Sequence, residues 1–65
     1  MTGDAISIIV ASLDMTYPGQ PYEWVERAAT EILHFPGRYP NATVEQEAAL
    51  MERVRNMCTT GQWRG

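Results

Sequence analysis

The sequence has no lysine and only one cysteine, and each shortage removes a class of function. Cys58 has no second cysteine to pair with, which excludes an intrachain disulfide and a cysteine-rich zinc site and fits a reducing, intracellular setting. Arg27, Arg38, Arg53, Arg55 and Arg64 are the only strongly basic residues against eight acidic ones, giving a net charge of −3. A binder of the phosphate backbone needs a positive stripe, and nowhere do more than two arginines gather locally, so nucleic acid is a disfavoured partner. Long hydrophobic runs are also missing. The most apolar stretch, within residues 5–13, covers about nine positions where a spanning helix needs roughly 20. It follows Asp4 instead of a basic segment, unlike a secretory signal, so the expected location is cytoplasmic with no membrane contact. No glycine-rich phosphate loop and no hydrolase elbow occurs, and neither a catalytic residue nor a cofactor is expected.

What is present is apolar material in helical order. A chain of 65 residues makes one domain, here 1–65, and a domain this small buries only ~60% of the surface its unfolded chain exposes. Its stability must come from close helix packing or from association, and a hydrophobic fraction of 45% supplies either. Three helices are predicted at about 4–14, 21–34 and 43–58, with a short C-terminal tail over 59–65. Thr2 or Asp4 can cap the first, where Ile6, Ile9, Val10 and Leu13 form one stripe at spacings of three and four. Ile6, Ile8 and Val10 also alternate, so a strand is the competing reading of 5–13, although no second strand-like run exists to pair with it.

Tyr17-Pro18-Gly19-Gln20-Pro21 breaks the chain, with Pro21 suited to the first helical position. The second helix carries Trp24, Val25, Ala28, Ile32 and Phe35 on one face, and Glu23, Arg27, Thr30 and His34 opposite, with Glu23 set to pair Arg27. Pro36 is expected to end it and to push Phe35 out of helical geometry. Thr43 followed by Gln46 has the pattern of a capping box, and Gly61 that of a stop, for a third helix with Val44, Leu50, Met51, Val54, Met57 and Cys58 in its stripe. The predicted core is Ile9, Leu13, Trp24, Val25, Ala28, Ile32, Phe35, Leu50, Met51, Val54 and Met57. The fold class is all-α, a compact three-helix domain assembling as a helical homodimer.

Candidate chemistry is sparse. Glu31 and His34 have the Glu-x-x-His spacing used by metal-binding bundles, but the wheel places His34 on the polar face, where a solvated histidine near a helix C-terminus suffices. Cys58 shares a face with Met51 and Val54 and reads as a small buried hydrophobe. Glu47 falls inside the third helix's apolar stripe, so it must either stretch its carboxylate to water or pair with an arginine such as Arg53 or Arg38. Arg53, Arg55 and Arg64, with Trp63 among them, form the one patch open to an alternative reading as a nucleic-acid-binding transcriptional regulator. Against that reading, a connection of about eight residues between the second and third helices is long for a helix-turn-helix, and Glu45 and Glu47 would face phosphates.

The first helix has a second side. Ala5, Ile8, Ser12 and Met15 lie away from the core stripe, and small residues around one isoleucine permit close approach of another helix, so they are the expected self-interface. Tyr22, Tyr39 and Trp63 are the candidate contacts for a further protein partner, since aromatic side chains give large contact area at modest entropic cost. The stretches Ala5-Ile6-Ser7-Ile8-Ile9-Val10-Ala11-Ser12-Leu13 and Tyr22-Glu23-Trp24-Val25-Glu26-Arg27-Ala28-Ala29 give the chain a texture that resembles the short acidic accessory proteins encoded in the early regions of lambda-like temperate phages. That resemblance implies a non-enzymatic, regulatory protein that binds and modulates a host or phage protein in the host cytoplasm. It transfers no functional residues.

Overall fold

The computed structural model describes residues 4–64, and all regular structure within them is helical. Thr2, the alternative first cap, lies outside the described residues. Helix α1 runs Ala5–Thr16, α2 Tyr22–Arg38 and α3 Val44–Thr60. The alternating isoleucines of α1 do not make a strand, because among the described residues no other extended segment takes up its backbone hydrogen bonds and Asp4 starts a helix instead. Asp4 is extended, and its carboxylate accepts the Ser7 amide hydrogen at 2.7 Å, satisfying a donor that the first turn cannot. At the far end the Tyr17 amide closes on the Leu13 carbonyl at 2.7 Å, and Gly19, at φ +79°, turns the chain.

Helix α2 begins one residue after Pro21, whose carbonyl accepts from the Trp24 and Val25 amides at 3.1 and 3.3 Å. Pro21 is therefore the cap and not the first helical residue. Pro36 does not end this helix, and Phe35 stays helical: α2 continues through the proline to Arg38. The proline forfeits the hydrogen bond to the carbonyl four residues back and crowds it, at ~3 kcal/mol, and contacts made by the half turn beyond it offset that cost. That half turn is secured by the Tyr39 amide donating to the Phe35 carbonyl at 2.9 Å, by the Phe35 and Tyr39 rings 5.1 Å apart, and by an Arg38–Glu31 ion pair. As a result only Tyr39–Thr43 connect α2 to α3, a shorter link than the sequence implied.

Helix α3 opens on the expected capping box, with the Thr43 hydroxyl accepting from the Gln46 amide at 3.1 Å and the Gln46 side chain accepting from the Thr43 amide at 2.9 Å. It closes on Gly61, left-handed at φ 78°, whose amide reaches the Met57 carbonyl at 3.1 Å.

Helices α1 and α3 both pack on α2, and their backbones do not approach one another. The helices therefore lie side by side in a layer measuring 32 × 30 × 15 Å, with a radius of gyration of 11.7 Å where a compact chain of this length has about 11 Å. Accessible surface is 4513 Å², above the ~4,200 Å² of an ordinary monomer of this mass. Buried residues are Leu13, Val25, Ala28, Ala29, Val54, Met57 and Cys58. Ile9, Val10, Tyr17, Trp24, Ile32, Leu50 and Trp63 pack around them in part.

One expected core position, Met51, and one residue of the predicted third-helix stripe, Val44, are corrected by this arrangement. Met51 is 54% exposed and Val44 78% exposed, because α3 has a single helical neighbour and its first turns, Val44 to Ala48, all stand in solvent. Glu47 is exposed for the same reason: the apolar stripe it interrupts is not covered at that end. Conversely Ala29, absent from the predicted core, is as completely buried as Ala28. Consecutive residues of a helix point ~100° apart, so burying both requires cover from two sides, which the central position of α2 provides. Among the described residues no helix is long and apolar enough to cross a membrane.

Candidate functional site

Two surfaces carry more than packing. The first is α1 itself. Five of its twelve residues are Ile, Val or Leu, yet Leu13 alone is buried, while Ile6, Ile9 and Val10 are half-covered. Ala5, Ile8, Ser12 and Met15, the expected self-interface, are all exposed, Ile8 at 64% and Met15 at 86%. The wheel therefore divides α1 as the sequence indicated, but the inward stripe is held more loosely than a core helix would be. Beyond that stripe, the apolar area of Ile8 and Met15 gains nothing from burial within this chain.

The second surface is a cleft of about 150 Å³ where the C-terminal half of α2 meets α3 and the tail. Glu31, Phe35, Arg38 and Tyr39 line it from α2 and its cap, Leu50 and Arg53 from α3, and Trp63 from the tail. Glu31 organises it. Its side chain is only 14% exposed, and its two oxygens are taken by different arginines, Oε2 by Arg27 Nε at 3.1 Å and Oε1 by Arg38 Nη1 at 2.9 Å. The expected pairing of Arg27 with Glu23 is thus replaced by one with Glu31, which lies beside Trp63 in a less hydrated setting; the Arg27 guanidinium also sits 5.5 Å from the Trp63 ring centroid. Arg53 completes the cleft, and among the described residues it has no ion-pair partner.

The candidate partner contacts do not form one patch. Tyr22 and Tyr39 are both exposed, but they bracket the 17 residues of α2 and so lie ~25 Å apart. Trp63 folds back to pack against the core, and of the three aromatics only Tyr39 and Trp63 line the cleft. The arginine patch is likewise divided. Arg55 is paired with Glu52, three residues before it on the same helix, while Arg53, two residues earlier and ~200° around α3, lines the cleft. Arg64 belongs to the tail, where its carbonyl accepts from the Asn56 side chain.

His34 is exposed, and Glu31 is committed to its two arginines. Among the described residues no three His, Cys, Asp or Glu side chains gather as a metal site. Cys58 is fully buried beside Val54 and Met57, and desolvation pushes its thiol pKa up, so the nucleophilic thiolate is disfavoured.

The cleft went unnoticed in the sequence, although a signal was there. Arg27, Glu31, Phe35 and Arg38 follow at spacings of four, four and three, which is one continuous helical stripe. Assigning Pro36 as the helix end cut that stripe before Arg38 and hid it. Compared with protein-family models, curated proteins and solved structures, the chain matches none.

Proposed function

We propose that this protein is a small non-enzymatic interaction module, a homodimer that binds and modulates another protein, as the resemblance to phage accessory proteins implies. A host cytoplasm is the setting that goes with it. The observation that carries the reading is the state of α1, apolar nearly all round yet burying only Leu13, with Ile8 and Met15 bare on the side opposite the core stripe. Exposed apolar area of this kind is stabilised by an equivalent face on a second copy, which a two-fold axis supplies without further sequence.

The dimension of the face sets the strength. Twelve helical residues extend ~18 Å, so pairing along α1 alone falls at the small end of specific interfaces. Sedimentation should therefore be run across ~1 to 500 µM, a range that reveals weak association. The expected result is a monomer–dimer equilibrium in that range, abolished by Ile8→Glu with far-UV circular dichroism unchanged. A chain that stays monomeric at the highest concentration removes the dimer, and an Ile8→Glu variant that still dimerises removes this face.

A further inference from the structure

We propose that the cleft between α2, α3 and the tail captures the C-terminal residue of a partner polypeptide, holding its terminal carboxylate on Arg53 and Arg38 and its apolar side chain against Phe35, Leu50 and Trp63. The inference rests on the reading of the protein as an interaction module and names the chemistry of its partner, but it uses a surface separate from the exposed side of α1.

Charge is the first argument. The whole chain carries −3, yet the cleft is lined by two arginines, Arg38 and Arg53, against one carboxylate, Glu31, which Arg27 outside the lining also engages. Both Glu31 oxygens are already occupied, so the excess is cationic and sits on the unengaged nitrogens of Arg38 and on Arg53. Guanidinium nitrogens presented this way match the two oxygens of a carboxylate. The lining of the cleft thus carries net positive charge on a chain whose net charge is negative, which favours an anionic group there.

Size is the second. A volume of about 150 Å³ is below that of pockets for nucleotides or drug-sized ligands and suits a single side chain. The cationic and apolar walls enclose the same small space, so the ligand must present a carboxylate and an apolar group close together. Within a polypeptide the C-terminal residue does this, because its carboxylate and its side chain leave the same Cα. An internal Asp or Glu places its carboxylate where the apolar side chain would go, and in an extended chain its neighbour points to the other face.

Pre-organisation is the third. Trp63 is held by Arg27 above its ring and by packing against the core, and Arg38 is fixed through Glu31, so two walls and one cation are set before any ligand arrives.

The test is two-dimensional NMR of the full chain, titrated to about 5 mM with acetyl-Gly-Ser-Gly-Leu as the free acid and as the C-terminal amide. The expected result is saturable shifts at Trp63 and Arg53 with the acid and at least tenfold weaker binding of the amide. Arg53→Gln should weaken the acid tenfold or more while leaving the spectrum folded. Ile8→Glu should bind as the parent does, which separates this site from the α1 face: failure of either leaves the other standing. No saturable shift with the acid, equal binding of acid and amide, equal shifts with inorganic phosphate or acetyl-Glu-amide, or preferential binding of duplex DNA through Arg53 would each overturn the assignment.

Discussion

Replacing Gly61 by alanine should be the most damaging conservative change at any described glycine, and the geometry says why. Gly61 holds φ at +78°, a region where a side chain meets its own backbone at a cost of about 1–2 kcal/mol. A Cβ at this position would also stand 2.6 to 2.8 Å from three atoms of the Trp24 indole. Ordinary contact needs nearly an ångström more, and Trp24 is a rigid ring packed against the core, so relieving the clash adds about 1–3 kcal/mol of overpacking. Reduced freedom of the unfolded chain returns roughly 0.5 kcal/mol, for a net loss of about 1.5–4.5 kcal/mol. Domains of this size hold only about 3–5 kcal/mol, so Gly61→Ala should bring the chain to the edge of unfolding. The other two described glycines serve as internal controls. Gly19 has φ +79° with nothing within 4 Å of the built Cβ, so Gly19→Ala should cost the backbone strain alone, about 1 kcal/mol. Gly37, inside α2 and without neighbours or positive φ, should be stabilised by about 0.5–1 kcal/mol on changing to alanine. Urea denaturation followed by circular dichroism gives all three values. Equal losses for Gly61→Ala and Gly19→Ala would refute the Trp24 contact, and no loss for either would refute the left-handed geometry.

Cys58 should be inert to a thiol reagent in the folded protein and react only as fast as the chain opens, so its labelling rate should rise in step with urea; burial raises its folded pKa, and the associated stability is complete below the unfolded pKa and lost as pH climbs through the folded one. Rapid labelling of the native chain at neutral pH would contradict that burial. The Asp4 pKa is lowered, chiefly because its carboxylate accepts the Ser7 amide, so its contribution stands above the unfolded value and is lost as pH falls through the folded one, below 3.8. Asp4→Asn should keep the cap and remove that acid-side loss, as read from hydrogen exchange of the Ser7 amide; an unchanged acid profile would exclude the cap. Val44→Thr and Met51→Gln should each alter stability by less than about 0.5 kcal/mol in chemical denaturation, whereas Val54→Ala should cost about 2 kcal/mol or more; a large loss at Met51 would mean that α3 is covered after all.

The three helices were readable because their signals are local. Asp4 and the Thr43–Gln46 box announce helix starts, Gly61 a stop, and the face of Trp24, Val25, Ala28 and Ile32 repeats at helical spacing. What sequence reasoning missed depends on neighbours. Whether Met51 is core turns on whether another helix lies over that flank of α3, and no local pattern records that α1 stays away. Ala29 is invisible for the converse reason, since its burial reports a second helix packed against α2. Pro36 carried a strong local signal that was outweighed by interactions three to five residues distant, the Phe35–Tyr39 stack and the Arg38–Glu31 pair. Of the two surfaces, the α1 face needed only a helical wheel, whereas the cleft needed α2 extended to Arg38 and the tail folded back to bring Trp63 to Arg27.

With a depth of only 15 Å between its outermost Cα atoms, the molecule has perimeter but little interior. No atom of such a layer lies more than about one side chain from water, so a group can be shielded from solvent only where another surface is laid over it. Any chemistry that depends on a dry chamber would have to borrow a wall from a partner. By the same geometry α1 and α3 stand at opposite edges of the layer, so that a ligand on one need not displace a ligand on the other, and among the described residues α2, touched by both flanking helices, is the helix through which the two edges could sense each other.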